Sequence, residues 1–235
     1  MTRRDELAAN LAEVRARIEA ACRAADRSPA EVELLAVTKT FPASDVALLS
    51  DLGLSAFAEN RDQEASGKTA EFAEARPDAR PSWHMVGNVQ RNKARSVVSW
   101  ADRVDTVDSV RLADALAKAA AQRGRPLDVL LQASIDGDPA RGGCPLPELA
   151  ALADHVAGSG ELRLVGVMAV APREMNPARA FSVLADEVYR LRRDHPAATV
   201  VSAGMSGDLE DAIAHGSTCV RVGTALLGGR RLASP

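Results

Sequence analysis

The chain has 235 residues, a length that suits one large barrel-type domain or two small ones. Hydrophobic residues make up 46% of it and charged residues 26%, so a packed core can form and disorder is not indicated. The net charge of −3, without any cluster of Lys or Arg, argues against a nucleic-acid surface, and no apolar run approaches the roughly 20 residues that a membrane span needs.

The first predicted element is an amphipathic helix. Leu7, Leu11, Val14, Ile18 and Cys22 recur at intervals of three and four residues, which places them on one helical face. A coiled-coil seam would give a similar stripe, but this one lasts only about two heptads where about three to four are needed. We therefore expect the helix to pack against a larger body.

Apolar strands then alternate with helical patterns along the chain. The strands are predicted near Leu34–Thr38, Ala56–Glu59, Trp83–Val86, Arg103–Val107, Val129–Ala133, Leu164–Met168, Thr199–Ser202 and Cys219–Val222. The helices are predicted at Ala43–Leu52, Asn60–Ala75, Asn88–Trp100, Ser109–Arg123, Pro145–Gly158, Asn176–Asp194 and Leu209–His215.

This alternation predicts an α/β fold, a closed parallel (β/α)8 barrel of the TIM type with an extra N-terminal helix. An open doubly wound sheet is the alternative, but it usually has fewer strands at this length, and no GxGxxG motif follows the first strand. No linker or low-complexity segment divides the chain. We therefore expect residues 1–235 to form a single domain.

Polar residues of varied chemistry gather at the carboxyl ends of the predicted strands, where barrels of this type place their chemistry. They are Lys39, Glu59, Asn60, His84 (within the third strand), Asp105, Asp108, Ser134, Ser202, Met205, Ser206, Arg221, Gly223 and Thr224. The opposite ends hold nothing so varied. The functional site is therefore expected at the carboxyl ends.

Two glycine-containing turns follow the last two strands and predict an anion site. In "SAGMSGDLEDAI", Gly204 and Gly207 allow close backbone approach, and Ser206 can cap the helix that begins near Asp208. In "VRVGTALLGG", Gly223 and Thr224 open a helical turn. Such sequences also begin helices that bind nothing, but helix starts attract anions, and barrels often bind phosphate after strands seven and eight.

Lys39 ends the first apolar strand and is the candidate reactive group. It could simply reach solvent along its methylene stem. If instead it is buried beside Leu35 and Val37, its pKa falls and it can form a Schiff base with a carbonyl. Together with a phosphate site, this predicts a phosphorylated aldehyde, either a sugar phosphate or pyridoxal 5′-phosphate (PLP).

Arg221 helps to separate these two ligands. It lies two residues before Gly223 and so shares that strand's face with it. A structural salt bridge is its ordinary role. If it points into the barrel mouth, it can face the pyridine nitrogen of PLP and weaken the ring as an electron sink, whereas a sugar phosphate offers no such partner.

The cysteines and the first residues bear on localisation. Cys22, Cys144 and Cys219 are an odd number without a CxxC pair, which favours neither a disulfide framework nor a zinc site. The charged start of the chain is not followed by an apolar signal region. We therefore expect a reduced, cytoplasmic protein without a metal.

Six motifs together resemble one known family. "LLAVTKT", "FAENRDQE", "WHMVGNVQRNK", "LVGVMAVAP", "SAGMSGDLEDAIAHGST" and "VRVGTALLG" occur in the order found in the YggS/PROSC family of pyridoxal phosphate homeostasis proteins. That family is similar to the N-terminal barrel of alanine racemase. The resemblance extends from about Leu34 to Gly228 and includes the leading helix.

The resemblance implies that Lys39 carries PLP as an internal aldimine and that Arg221 faces the pyridine nitrogen. It implies phosphate contacts from Ser206, Gly223 and Thr224, a further hydroxyl from Ser202, a position near the ring for Asn60, and pocket-lining positions for His84 and Met205. It also implies a role in vitamin B6 and amino-acid homeostasis, with apo forms of PLP-dependent enzymes as candidate recipients of the cofactor.

A cofactor carrier is expected rather than an enzyme. A racemase needs a base on each face of its substrate, and in alanine racemase the second is a tyrosine from another domain. The chain ends at Pro235, soon after the eighth predicted strand, so we expect no such domain. Its only tyrosine, Tyr189, is expected to pack on the barrel exterior, and His84 is a weak candidate for the base. A weak racemase or lyase is the alternative, and we expect a monomer.

Overall fold

The computed structural model describes residues 1–138 and 141–229. Its strands are β1 (Glu33–Val37), β2 (Ala56–Glu59), β3 (Ser82–Met85), β4 (Arg103–Val107), β5 (Leu127–Ser134), β6 (Cys144–Pro145), β7 (Leu162–Ala169), β8 (Val200–Ser202) and β9 (Cys219–Val222). Its helices are α1 (Arg3–Ala24), α2 (Ala43–Asp51), α3 (Asp62–Ala75), α4 (Ala94–Trp100), α5 (Val110–Arg123), α6 (Leu146–Ala157), α7 (Pro177–Asp194), α8 (Leu209–Ala214) and α9 (Thr224–Leu227).

The strands close into a parallel barrel. Their order is β4-β3-β2-β1-β9-β8-β7-β5, and a further pairing of β4 with β5 joins the two ends. The prediction of a (β/α)8 barrel is therefore confirmed. The short β6 was not predicted, and among the described residues it pairs with Ala133 and Ser134 at the end of β5.

Alternation along each strand separates the barrel interior from the helix-covered surface. Leu35, Ala58 and Cys219 belong to a cluster formed only by strand and strand-end residues, which is the interior. Ala36 and Phe57, one position along, instead pack with residues of the surrounding helices. This alternation fixes which side chains after each strand continue the inward face.

Helix α1 lies against the barrel, as its apolar stripe predicted. Leu7, Leu11, Val14, Ile18 and Cys22 are all buried and join a cluster that includes residues of α2, α8 and α9. Thr2 begins the helix with a capping box, in which its side chain accepts a hydrogen bond from Asp5 N while Thr2 N donates to the Asp5 carboxylate.

Most predicted boundaries agree with the structure to within a few residues. The main exception is α4, which begins at Ala94 after a 3-10 turn at Arg91–Lys93, whereas the sequence predicted a helix from Asn88. Within the described residues, no helix has the length and apolar character to span a membrane.

Candidate functional site

Most of the predicted site residues meet on one arc of the barrel rim. Lys39 follows β1 and Asn60 follows β2, while Met205 and Ser206 follow β8, and Gly223 and Thr224 follow β9. These four strands are neighbours in the order β2-β1-β9-β8. The sequence motifs, which are up to about 180 residues apart in the chain by their numbering, therefore lie side by side at the carboxyl ends of the strands.

Lys39 lies in the turn after β1 and is exposed. It has no hydrogen-bond or ion-pair partner among the residues that the structure describes. Of the two positions that the sequence left open for this lysine, the structure has the exposed one, because the strand ends at Val37 and the next residue, Thr38, takes the buried position. Its amine is accessible at the rim.

A buried ion cluster lies directly behind Lys39; we call Thr38, Glu59, Glu64 and Lys68 the lysine-side cluster. Lys68, from α3, is only 5% exposed, and its Nζ donates to Glu59 Oε1 at 2.6 Å and to Glu64 Oε1 at 2.9 Å. The same Nζ donates to the carbonyl of Thr38 at 2.8 Å. Thr38 Oγ1 donates to Glu59 Oε1 at 2.6 Å.

The lysine-side cluster holds the backbone on both sides of Lys39. Lys68 binds the carbonyl of Thr38, and the amide of Thr40 donates to Glu64 Oε1 at 2.5 Å. Thr40 has a positive φ of 66°, a conformation that costs energy for a β-branched residue and therefore needs such support. Burial raises the pKa of Glu59 although Lys68 and Thr38 oppose the shift, and its Oε2 has no partner among the described residues.

The other half of the rim is formed by two turns; we call Gly204, Met205, Ser206, Gly223 and Thr224 the phosphate side. The two turns lie together because the amide at position 221 donates to Gly204 O at 2.9 Å. As predicted, a helical turn begins at Thr224, with Gly223 as its N-cap. The side-chain hydroxyls of Ser206 and Thr224 have no hydrogen-bond partner in the described parts of the chain.

The cap of α8 differs from the prediction. Asp208, not Ser206, is the N-cap residue, and its carboxylate accepts a hydrogen bond from Met205 N at 2.6 Å. Ser206 is half-buried and Met205 is exposed. The Ser206 hydroxyl is therefore not engaged in capping.

Two glycines on this side allow close approach, and one does not. Gly204 has a φ of 89°, and a Cβ there would lie 2.6 Å from Ala212 Cβ. A Cβ at Gly223 would lie 3.3 Å from Val37 O, so this glycine keeps the ends of β9 and β1 close. A Cβ at Gly207 would meet nothing within 4 Å, so the predicted close approach is not observed there.

Arg221 lies inside the barrel, on the inward face that the sequence allowed. Its Nη1 donates to Ser202 O at 2.7 Å and to Ser202 Oγ at 2.8 Å, and its Nη2 donates to Ala169 O at 2.8 Å. Burial lowers the pKa of this guanidinium from its ordinary value. Ser202 is fully buried, so its hydroxyl holds Arg221 in place.

Asn60 is exposed at the rim after β2, and the segment after β3 lies against its backbone. A Cβ at Gly87 would lie 2.0 Å from Asn60 O, so only glycine fits there. The Gly87 carbonyl also accepts a hydrogen bond from Thr106 Oγ1 at 2.7 Å. These contacts fix the position of Asn60 from three neighbouring strands.

His84 is buried below the rim. It is in register with Ala58, which is in register with Val37, so it lies two residues before the level of Lys39. Its Nε2 is 2.9 Å from Ser82 Oγ, at the start of the same strand, and its Nδ1 has no partner among the described residues. Burial lowers the pKa of His84, which keeps its ring neutral at pH 7.

A buried ion pair lies near His84 in the barrel interior. Arg103 donates from Nε to Asp105 Oδ1 at 2.8 Å and from Nη2 to Asp105 Oδ2 at 3.1 Å. The carboxylate of Asp105, which the sequence placed among the polar strand ends, is therefore committed to Arg103. Burial raises the pKa of the neighbouring Cys219 thiol to about 12, so this cysteine is an inert part of the core.

A cavity of about 620 Å³ opens between the segments that follow β5 and β7. Its lining includes Ser134, Asp136, Arg141, Arg173 and Glu174, together with Met205 from the phosphate side. Of the polar strand-end residues that the sequence singled out, the lining includes Ser134 and Met205. No group of three or more His, Cys, Asp or Glu side chains is placed to hold a metal ion within residues 1–138 and 141–229.

Comparison with known proteins identifies the family. The model of the family described as "Alanine racemase, N-terminal domain" matches residues 5–231. A pyridoxal phosphate homeostasis protein of Mycobacterium leprae (strain TN) is 48% identical over 99% of this chain and 96% of its own length. The chain belongs to this family. The protein of the same name from Escherichia coli (strain K12) is 41% identical over 96% of this chain and 97% of its own length.

The family assignment confirms the resemblance found in the sequence, and a solved member has the same fold. PipY of Synechococcus elongatus PCC7942, solved with PLP bound, has a TM-score of 0.81 and 32% sequence identity, covering 94% of this chain and 100% of that one. Both curated relatives are named as homeostasis proteins, which agrees with the prediction of a binding role rather than a catalytic one.

Sequence reasoning missed the residues of the lysine-side cluster that lie behind Lys39. Glu64 and Lys68 are spaced i, i+4 on a helix, which is ordinarily the pattern of an exposed surface pair. Nothing in the local sequence indicates that Lys68 is buried under β1 and β2. The polar contacts of α1 were also missed, since its apolar stripe gave its orientation but not its hydrogen-bond partners.

Proposed function

We propose that the protein binds PLP covalently through Lys39 and serves in vitamin B6 homeostasis as a reversible carrier of the cofactor. The observation that supports this most is the placement of an accessible lysine beside two glycine-containing turns at one barrel rim. PLP supplies an aldehyde that an amine converts reversibly into a carbon–nitrogen double bond with release of water. Its phosphate suits the backbone amides of the phosphate side.

The residues present fit this cofactor. Ser206 and Thr224 offer hydroxyls that no described residue uses, and Gly223 leaves free the space that a side chain would take beside Val37. We assign to Arg221 the role of presenting a cation to the pyridine nitrogen. Ser202 and Ala169 orient that guanidinium. Asn60 follows β2, the strand next to β1 on the side away from β9, and offers a polar side chain there.

A carrier role is supported by where the two candidate second bases lie. Tyr189 lies on α7 and is 72% exposed, so the expectation that it packs against the barrel exterior was wrong. His84 is buried below the rim, with a lowered pKa and its Nε2 paired with Ser82. Neither is placed as the partner of Lys39 that a racemase needs. A cation against the pyridine nitrogen also restrains catalysis of amino-acid chemistry.

The test of covalent binding compares the wild-type protein with Lys39→Ala. We expect a visible absorption band with PLP in the wild type and none in the variant. Reduction with borohydride followed by peptide mapping should label position 39. Labelling at another position, or none, would contradict the proposal.

Transfer of the cofactor to recipient enzymes is a further part of the proposal. An incoming amine, such as a lysine of an apo enzyme, displaces Lys39 and takes the cofactor. Loaded protein is mixed with an apo PLP-dependent enzyme in the presence of a trap for free PLP. Reactivation despite the trap supports direct transfer, and complete loss of reactivation leaves release into solution as the route.

We also propose that the protein is a single-domain monomer that acts in the cytoplasm. The barrel closes on itself through β4 and β5, and α1 lies on it, so one core includes both. The three cysteines are buried and free, as suits a reducing compartment. Light scattering coupled to size-exclusion chromatography tests the monomeric state, since the measured molar mass of a dimer would be twice that of one chain.

A further inference from the structure

Helix α1 binds the first turn of the phosphate side through one arginine. Arg17 Nη2 donates to the carbonyl of Ser206 at 3.0 Å. The same guanidinium binds the carboxylate of Glu210, in the first turn of α8, with Nε to Oε1 at 2.8 Å and Nη2 to Oε2 at 3.0 Å. Arg17 therefore joins the turn that carries Ser206 to the helix that follows it.

The same helix binds the second turn of the phosphate side at the far end of α9. Asn10 Nδ2 donates to Leu226 O at 3.0 Å, and Arg3 Nη2 donates to Leu227 O at 3.0 Å. Arg3 also binds Asp45 of α2, with its Nη2 2.6 Å from Asp45 Oδ2. Carbonyls at the end of α9, which lack partners within the helix, are thus satisfied by α1.

Apolar packing brings the three helices together. The stripe of α1 shares one cluster with Leu209 and Ile213 of α8 and with Leu226 and Leu227 of α9. The two short helices have six and four residues. Helices of this length are unstable alone, so tertiary contacts determine where they lie. The contacts from α1 are therefore part of what fixes both turns.

The bond from Arg17 also orients a peptide group. In a trans peptide the carbonyl of one residue and the N–H of the next point in opposite directions. Because Arg17 binds the carbonyl of Ser206 from the side of α1, the N–H of Gly207 points away from α1. This N–H has no acceptor among the residues that the structure describes.

We propose that α1 acts as a clamp that makes the protein selective for the phosphorylated form of its ligand, with Arg17 and Asn10 as positioning residues. This inference rests on the proposed function, since it concerns the phosphate of PLP. The clamp holds the two turns of the phosphate side at a fixed spacing and orientation. It does not touch Lys39, so it affects the phosphate contacts and leaves covalent attachment of the aldehyde unchanged.

The experiment measures the dissociation constants of PLP and of pyridoxal, which lacks the phosphate, from the visible band. In Arg17→Met we expect PLP to bind about five-fold more weakly, the effect of one lost hydrogen bond, and pyridoxal to bind as before. Arg17→Lys keeps the positive charge but not the paired hydrogen bonds. Its dissociation constant for PLP should lie between those of the wild type and Arg17→Met. Arg163→Met is the matched control.

The control removes a similar ion pair at the other end of the barrel. Arg163 binds Asp128 with two hydrogen bonds of 2.6 Å, near the starts of β7 and β5. Its loss should change neither constant. Asn10→Ala gives an independent measurement on the second turn and should also lower the selectivity for PLP over pyridoxal.

The outcomes separate the clamp from the proposed function. If neither Arg17→Met nor Asn10→Ala lowers the ratio of the two affinities, or if both ligands weaken equally, the clamp is wrong. If the wild-type protein shows no visible band with either ligand, or if Lys39→Ala keeps the band, the proposed function fails instead. A fall in PLP affinity with unchanged pyridoxal affinity establishes the clamp.

Discussion

The two halves of the rim are supported in opposite ways. On the lysine side, the support is a buried ion cluster inside the fold, with Glu59 fully buried and Lys68 nearly so. On the phosphate side, the support comes from outside, through the pairs that α1 makes with α8 and α9. The side chains of Arg17 and Glu210 in one such pair are 32% and 49% exposed.

This difference has energetic consequences. A buried ion pair gives little net stability when complete, but removing one partner leaves a charge without compensation. A half-exposed pair is screened by water and contributes little to stability either way. Substitutions on the lysine side should therefore lower the free energy of unfolding, whereas substitutions on the phosphate side should mainly lower ligand affinity.

The largest effect is expected for Lys68→Met. It leaves Glu59 and Glu64 without their cation, so we expect the free energy of unfolding to fall by about 3–5 kcal/mol. Urea denaturation measures this. Lys118→Met, at an exposed position of α5, should change it by less than about 0.5 kcal/mol. Adding Glu59→Gln to Lys68→Met should recover part of the loss, and no recovery would mean that buried charge is not the cause.

The second-largest loss of stability is expected for Gly87→Ala. Its Cβ would lie 2.0 Å from Asn60 O, so the rim beside Asn60 must shift, at a cost of about 3 kcal/mol. Gly67→Ala in α3 is the matched control, because a Cβ there meets nothing within 4 Å. It should stabilise the protein by up to about 1 kcal/mol, as alanine does for glycine in a helix. Equal thermal midpoints for the two variants would contradict this contrast.

A smaller, pH-dependent effect on stability should come from His84, which lies below the rim. Because burial lowers its pKa in the folded protein, the unfolded chain takes up a proton first as the pH falls. The contribution of His84 to the free energy of unfolding is therefore fully present when the pH is above the unfolded pKa of about 6.5. As the pH falls below that value the contribution is lost, by about 1.4 kcal/mol for each unit of pKa shift.

Comparison of urea unfolding at about pH 7.5 and about pH 5.5, on either side of that pKa, tests this effect. The wild-type protein should lose more stability than His84→Gln between the two values. The nearby charges of Arg103 and Asp105 are present in both proteins, so the difference isolates the histidine. Parallel pH profiles would show that His84 does not titrate in this way.

The smallest effect on stability is expected for Arg17→Met. Its pair with Glu210 is half-exposed, so the free energy of unfolding should fall by no more than about 1 kcal/mol. Urea denaturation of this variant beside Lys68→Met compares the two halves directly. A loss as large as that of Lys68→Met would remove the distinction between them.

The local patterns in the sequence were sufficient to predict the fold. The alternation of strands and helices predicted the barrel, and the stripe from Leu7 to Cys22 predicted the packed face of α1. These signals are periodic and arise from burial, which the barrel preserves. The short β6 lacks such a pattern, because two residues cannot show a period.

The site was predicted less completely, for physical reasons that differ between residues. Lys39 and Gly223 could be proposed as site residues because strand ends and turn residues have local signatures. The sequence left open whether Lys39 is buried or exposed, since this depends on β1 ending at Val37 and on Thr38 taking the buried position. Lys68 and Arg17 bind partners far along the chain, and only the folded topology brings these together.

Arg221 has one role that its contacts show and a second that we propose. It donates hydrogen bonds to the carbonyls of Ala169 and Ser202 and so connects the ends of β7 and β8 to β9, which stabilises the barrel wall. As proposed, it is also the group that faces the cofactor's ring nitrogen. Exchanging Arg221 for a carboxylate would remove these contacts, so under the proposed function the residue that restrains the cofactor could not be replaced without weakening the barrel wall.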